Sequence, residues 1–222
     1  MKIVNSIIIP AYNEEETIGD FLKQLKIPNS EIIVVCNGCT DRTPDIVKTF
    51  PVKIMIFPEK IGKGGAILEG MKHASGKNMG FVDADGSFDN NSIKKIISEL
   101  DNADCVIASK YKGQRFMKVK SKFARKISSR IWNFLVRALL GLDFDDTQAG
   151  LKFMKREVYE NINKNFITTG FEFDVELLKK IKKRGYGVKE VFIPVKAMEK
   201  STFSFSDTPG MFWNLLRLCF RR

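Results

Sequence analysis

The stretch GFVDADGSFD, residues 80–89, ends an apolar run on acids, with Asp83 and Asp85 spaced two apart directly after the buried-looking segment NMGFV (78–82). Alone, such acids are ordinary turn formers after a strand. They also have the spacing at which two carboxylates converge on a hard divalent cation once the backbone turns. The flanking sequence bears on the choice. Upstream lies a helical segment, 66–74, and downstream another, 91–100, followed by the apolar strand CVIAS (105–109).

Further out, the alternation repeats. SIIIP (6–10), EIIVV (31–35) and VKIMIF (52–57) are short strand-like runs. Between them, 16–25 carries Ile18, Phe21, Leu22 and Leu25 at helical spacing, and 41–50 has Thr43 placed as a cap with Pro44 in the first turn. Strands alternating with short helices predict an α/β sandwich with a mostly parallel central sheet covered on both faces. Ligands of such sheets bind outside the carboxyl ends of the strands. Pro10–Glu14, Cys36–Asp41 and Asp83–Ser87 each follow a strand, so all three are expected on one rim.

Residue 110 marks a change of character. The segment 118–140 is basic and amphipathic, with Phe123, Ile127, Ile131, Phe134, Leu135, Ala138 and Leu139 on one helical stripe. A helix over about 173–183, a strand over 187–194 and the terminal MFWNLLRLCFRR follow. The stripe suits either a core or a membrane interface, and the aromatic and arginine-rich terminus favours lipid. A chain of 222 residues, 44% apolar, is expected to form one domain, with a half over 1–110, a second over 111–208 and a terminal helix over 209–222.

The formal charge of +11 attracts phosphates, nucleic acid or anionic lipid. No nucleic-acid-binding motif is present, so no nucleic acid is expected as partner. No apolar run reaches the ~20 residues of a membrane span. The start, MKIVNSIIIPAYNEE, lacks the features of a secretory signal, which predicts a cytoplasmic protein. Four unevenly spaced cysteines do not form a disulfide framework. Cys36 and Cys39 have C-x-x-C spacing, yet zinc would need further ligands and His73 is the chain's one histidine. His73 falls mid-helix, as a surface or packing residue does.

KIGKGGA (60–66) enters a helix with Gly62, Gly64 and Gly65 open to close backbone approach and with Lys60 and Lys63 offering charge to an anion. It matches neither the Walker loop nor G-x-G-x-x-G, and a plain helix-entry turn is the competing reading.

Seven blocks taken together, IIIPAYNEEETI (7–18), EIIVVCNGCTDRT (31–43), KIGKGGAILEGMKHASG (60–76), FVDADGSF (81–88), VIASKY (106–111), DTQAGLKFMKREV (146–158) and GFEFDVELLKKIKKRGYGVKEVFIPV (170–195), resemble the GT-A glycosyltransferases of family 2. Within that family the likeness is to the polyprenyl-phosphate sugar transferases. It implies a GT-A αβα sandwich and an inverting transfer of mannose or glucose from GDP- or UDP-hexose to a polyprenyl phosphate, with Mg²⁺ or Mn²⁺ as cofactor. The setting would be an anionic membrane surface facing the cytoplasm.

Carried over by position, Pro10, Ala11, Tyr12, Glu14, Asn37, Lys60, Lys63, Asp83, Ala84 and Asp85 would bind the nucleotide sugar. Asp85 would hold the metal, with Ser87 where some relatives place a metal-binding Gln. Asp146 and Gln148, with Lys196 and Lys200, would meet the acceptor. Asp174 would be a catalytic acid, or else a helix-terminal charge favoured by the dipole. Relatives usually carry paired acids where this chain has Cys36 and Asn37, which leaves the base open. Two other readings compete: a transferase with a soluble acceptor, for which Asp174 must act as base, and a catalytically silent nucleotide- or membrane-binding module.

Overall fold

The computed structural model of the chain describes residues 3–112, 123–170, 172–194 and 208–220. Among them, seven strands, β1 (Asn5–Ala11), β2 (Ser30–Asn37), β3 (Lys53–Phe57), β4 (Asn78–Val82), β5 (Cys105–Ser109), β6 (Leu151–Lys155) and β7 (Val188–Phe192), form one sheet in the order β3-β2-β1-β4-β6-β5-β7. Helices α1 (Ile18–Gln24), α2 (Thr43–Lys48) and α4 (Asn90–Ser98) cover one face. On the other lie α3 (Lys63–Lys72), α5 (Phe123–Leu140), α6 (Arg156–Asn161), α7 (Phe173–Lys183) and α8 (Thr208–Phe220). Alternation along β1 supplies both cores: Ile7 and Ile9 point to the first face and Ile8 to the second.

β6 is the element that the sequence reading did not mark as a strand. It runs antiparallel between β4 and β5, so the sheet is mixed although its other pairings are parallel. Its sequence, LKFMK, carries a lysine inside a fully buried run, which breaks the apolar signal. The reversed direction matters for the site. Leu151 pairs with Val82, so the loop entering β6 reaches the same rim as the carboxyl ends of β1, β2, β4 and β5.

Two helix starts also differ from expectation. α2 is preceded by Arg42, and Thr43 is not its cap. The Thr43 hydroxyl instead accepts the Glu14 backbone N–H at 2.7 Å, tying the β1 and β2 loops together. α3 begins at Lys63, so Gly64 and Gly65 are helical. A Cβ at Gly64 would fall 2.5 Å from the Phe173 side chain, and one at Gly62, where φ is +81°, would meet the Thr169 carbonyl. These glycines admit α7 and its leading loop rather than a ligand.

Along α5 the core takes Trp132 and Val136. Of the expected stripe, Ile131 and Phe134 remain 55% and 68% exposed, and Leu139 is exposed as well. The helix is apolar on two faces, and periodicity alone does not say which one the sheet receives.

Opposite the rim, Glu31 joins four elements. Its carboxylate accepts from Ser6 Oγ at 2.6 Å, Lys53 Nζ at 2.5 Å and the Ser75 amide at 2.5 Å. Burial pushes this carboxyl up, but those donors outweigh it and hold it below its usual range. Stability from a depressed carboxyl is present above its unfolded pKa and lost as pH falls through the folded one. Glu31→Gln is therefore expected to cost about 2 kcal/mol at neutral pH and progressively less as pH falls through the folded carboxyl's pKa, read by urea unfolding across that range.

Candidate active site

Backbone hydrogen bonds to side chains draw the rim together. Asn13 accepts the Thr40 amide at 2.8 Å, Asp41 accepts the Glu15 amide at 3.1 Å, and Glu15 accepts the Arg42 amide at 3.1 Å. Asn13 adopts φ +54°, a left-handed turn that asparagine tolerates. The loops after β1 and β2 thus form one unit. The third loop lies close to it, near enough for the Asp83 and Asp85 carboxylates to repel that of Glu14.

Over this unit lies the 59–63 segment. Asn37, buried at the end of β2, accepts the Ile61 amide on its Oδ1 at 2.7 Å. That bond fixes the orientation of the amide, with Oδ1 towards Ile61 and Nδ2 on the opposite branch. Lys60 Nζ stands 4.0 Å above the Tyr12 ring, and Lys63 Nζ pairs with Asp83 at 2.6 Å. Asp83 is seated on Gly150: its amide donates to the Gly150 carbonyl at 2.9 Å, and a Cβ at 150 would meet its Oδ2 at 1.7 Å. Pro10 closes the strand at the rim, whereas Ala11 and Ala84 are buried beneath it and line no open surface.

The carboxylates crowd one another. Burial raises the Glu14 carboxyl, with Asp85 and Asp83 adding to it against the Thr17 hydroxyl. Asp83 is raised by burial first, then by Asp85 and Asp174, against the pull of Lys63. Asp85 is half-exposed, and its Oδ1 accepts the Ser87 amide at 2.9 Å, which aims the carboxylate. Hard oxygen donors under mutual repulsion fit Mg²⁺ or Mn²⁺, which binds through one or two carboxylates plus substrate phosphate and water. With Asp83 paired to Lys63, Asp85 is the carboxylate that would be left to hold such an ion. The contact Ser87 makes is through its backbone.

A cavity of about 510 Å³ opens on the other side of Asp85, between α1 and α4, and is lined by Glu16, Asp20, Phe21, Phe88, Asp89 and Lys94 among others. Its acids would repel a diphosphate. The cationic side chains of the rim, Lys60 and Lys63, stand instead over Tyr12 and beside Asp83.

Beside the rim, the loop before β6 is knotted from within. Asp146, 1% exposed, donates its amide to Glu190 at 2.7 Å, and its carboxylate accepts from the Gln148 amide at 3.3 Å and the Lys110 amide at 3.4 Å. Asp146 therefore shapes the loop, and Gln148 is the half-exposed member of the pair. Asp174, 2% exposed, faces Lys152 Nζ at 2.7 Å. Lys152 is fully buried and also donates to the Ala149 carbonyl at 2.6 Å. Lys63 and Lys152 lie 6.0 and 5.5 Å from the centroid of the same Phe81 ring, so charges of alternating sign run from Asp83 through Lys63 and Asp174 to Lys152.

Residues 6–162 match the profile described as Glycosyl transferase family 2. The chain belongs to that family. A dolichyl-phosphate beta-glucosyltransferase of Trichomonas vaginalis is 31% identical to this family 2 glycosyltransferase over 98% of the chain and 73% of its own length. That of Dictyostelium discoideum is 27% identical over 99% and 75%. The chain thus spans about three quarters of the length of each. Among solved structures, glucosyl-3-phosphoglycerate synthase from Mycobacterium tuberculosis, in complex with Mn²⁺, UDP and glucosyl-3-phosphoglycerate, superposes with TM-score 0.73 at 19% identity, covering 97% of this chain and 78% of that one. The fold is GT-A.

In this glycosyltransferase the structure brings together Tyr12, Glu14, Asn37, Lys60, Lys63, Asp83 and Asp85. Lys196 and Lys200 lie outside the described residues. Lys152 and Glu190 were not anticipated. A lysine in a buried strand and a glutamate in an edge strand look like surface residues until the partner across the sheet is known. His73 is not mid-helix as expected: it caps the C-terminal end of α3, exposed, with its ring nitrogen against the Glu69 carbonyl.

Proposed function

We propose that this glycosyltransferase moves glucose from a nucleoside diphosphate sugar to a polyprenyl phosphate, in one displacement that inverts the anomeric carbon, at a cytoplasmic membrane surface. The observation that carries the acceptor class is the buried Lys152–Asp174 pair. A soluble alcohol acceptor needs a base free to take its proton. A lipid phosphate is already anionic and needs none. An Asp174 carboxylate sealed against Lys152 suits the second and poorly serves the first. The curated relatives named for dolichyl phosphate and glucose support the same choice.

Asn37 would meet the base, Tyr12 and Lys60 the nucleoside, and Lys63 and Asp83 the ribose and diphosphate. Mg²⁺ or Mn²⁺ held by Asp85 would supply charge to the departing diphosphate. Asp174 would orient the acceptor rather than remove a proton, with Gln148 presented from the loop beside Asp83. Lipid contact is supported by Ile131 and Phe134 on α5 and by Trp213, 64% exposed, on α8, which packs against α5. Arg217 is exposed on α8, and the net charge of +11 favours an anionic surface. No helix among the described residues is long and apolar enough to cross a membrane.

The test is transfer of labelled glucose to polyprenyl phosphate in mixed micelles, with UDP-glucose and GDP-glucose as donors, 3-phosphoglycerate as the soluble acceptor, and Mn²⁺ present or chelated. The expected result is a metal-dependent, solvent-extractable glycolipid. Transfer to the soluble acceptor alone would replace this reading by its competitor, and nucleotide binding without transfer would favour the silent module.

A further inference from the structure

The sequence Cys36-Asn37-Gly38-Cys39 sets two thiols into the donor rim, and the proposed sugar transfer employs neither. Both are free. Cys36, the penultimate residue of β2, is fully buried, and the sheet register sets it opposite Ala11. Cys39 follows the left-handed turn at Gly38, where φ is +68°, and its thiol donates to the carbonyl of that same Ala11 at 3.4 Å. Both cysteines thus neighbour Ala11, Cys36 as its partner in the sheet and Cys39 through its thiol, with Cys39 half-buried and Cys36 buried. A hydrogen bond from Cys36 draws the Cys39 thiol down to about 6, with the Asn13 and Asn37 backbone assisting and burial opposing. That bond and burial push Cys36 up. An accessible thiolate backed by a buried partner three residues away is the arrangement that thiol–disulfide exchange requires.

We propose that Cys36 and Cys39 form a redox-active dithiol, a modification site that a low-molecular-weight disulfide oxidises to an intrachain bond, closing the donor site. The Cys39 thiolate attacks one sulfur of the reagent, forming a mixed disulfide and expelling a thiolate. Cys36 then attacks the Cys39 sulfur, the intrachain bond forms and the second thiolate leaves. The reagent takes up the two electrons and the two thiol protons.

Drawing the sulfurs to ~2 Å pulls Cys39 off the Ala11 carbonyl. Asn37 lies between them, and through its Oδ1 it holds Ile61 and the Lys60–Lys63 segment. Thr40, next to Cys39, is held by Asn13. Oxidation thus shifts both loops that frame the anion. The effect on ligand binding rests on the donor-site reading above, whereas the bond itself does not.

The experiment treats the reduced protein with oxidised glutathione, alkylates remaining thiols and maps peptides by mass spectrometry. Thermal shifts with UDP and with GDP are measured before oxidation, after it, and after dithiothreitol. The expected result is a 36–39 peptide lighter by two hydrogens with Cys105 and Cys219 alkylated, and a nucleotide-induced stabilisation that disappears on oxidation and returns on reduction. In Cys39→Ser the nucleotide response, whatever its size, is expected to be the same with and without oxidant. Glutathione retained on Cys39, or both thiols alkylated after treatment, overturns the dithiol. A mapped 36–39 bond with the nucleotide response intact overturns its control of the site. A reduced protein indifferent to both nucleotides counts against the donor reading, and the peptide map still decides the dithiol.

Discussion

Replacing Asp85 with asparagine is expected to lower sugar transfer by about 10³-fold while leaving the melting temperature unchanged. The two halves of that expectation have different causes. Asn retains the Oδ1 that accepts the Ser87 amide, so the turn after β4 keeps its bond. It also removes one of the carboxylates whose repulsion raises Glu14 and Asp83, so the empty site is relieved rather than strained. What it loses is the one carboxylate of the Asp83–Asp85 pair not ion-paired with Lys63, and with it the proposed anchor for a divalent ion at the departing diphosphate. An interaction made mainly in the transition state lowers kcat and kcat/KM together, and initial rates in Mn²⁺ and in Mg²⁺ measure both. Activity within a few-fold of the parent would remove Asp85 from the role of ligand. Ser87→Ala, which keeps the amide that aims Asp85, should change the rate little unless the hydroxyl itself is a ligand.

The half of the molecule that builds the donor rim was legible because its signals are local. β1, β2, β3, β4 and β5 are short apolar runs separated by amphipathic helices, and a parallel sheet places the residues after each strand on one side without further information. Asp83 and Asp85 follow from that rule alone. What stayed hidden depends on partners distant in sequence. β6 is masked by Lys152, whose charge is neutralised by Asp174, a residue 22 positions later on a different element. The resemblance sets Asp146 beside Gln148 at the acceptor, yet its carboxylate accepts from the Lys110 and Gln148 amides within a fold-specific knot. Gly62 and Gly64 resemble a phosphate loop, and only the docking of Thr169 and Phe173 shows what the missing side chains make room for. On α5 the period was legible but left core and membrane interface open, and only the packing of Trp132 and Val136 shows which face the sheet takes, with Ile131 and Phe134 exposed.

Lys152→Met is expected to cost about 3–5 kcal/mol of unfolding free energy, the largest stability effect of any single change at the site. The loss is not the worth of the ion pair. It is the penalty for leaving the Asp174 carboxylate, 2% exposed, without its cation in a core lined by Phe81 and Phe173. Removing both charges, as in Lys152→Met with Asp174→Leu, should therefore recover most of the stability, since buried pairs replaced by apolar groups of similar volume are often neutral. The double variant then separates the two roles open to Asp174. If the carboxylate only balances the N-terminal turn of α7, a stable double variant transfers sugar like the parent. If it orients the acceptor, the double variant folds, keeps its thermal response to nucleotide on the Asn37 and Lys63 side, and fails to form glycolipid. The second outcome is the one expected from the acceptor role proposed for Asp174, and the Lys63–Asp83 pair, 2.6 Å apart, keeps the donor side in place. Denaturant unfolding and the micelle assay on the same three proteins decide it, and a stable, fully active double variant would reduce Asp174 to a helix-terminal charge.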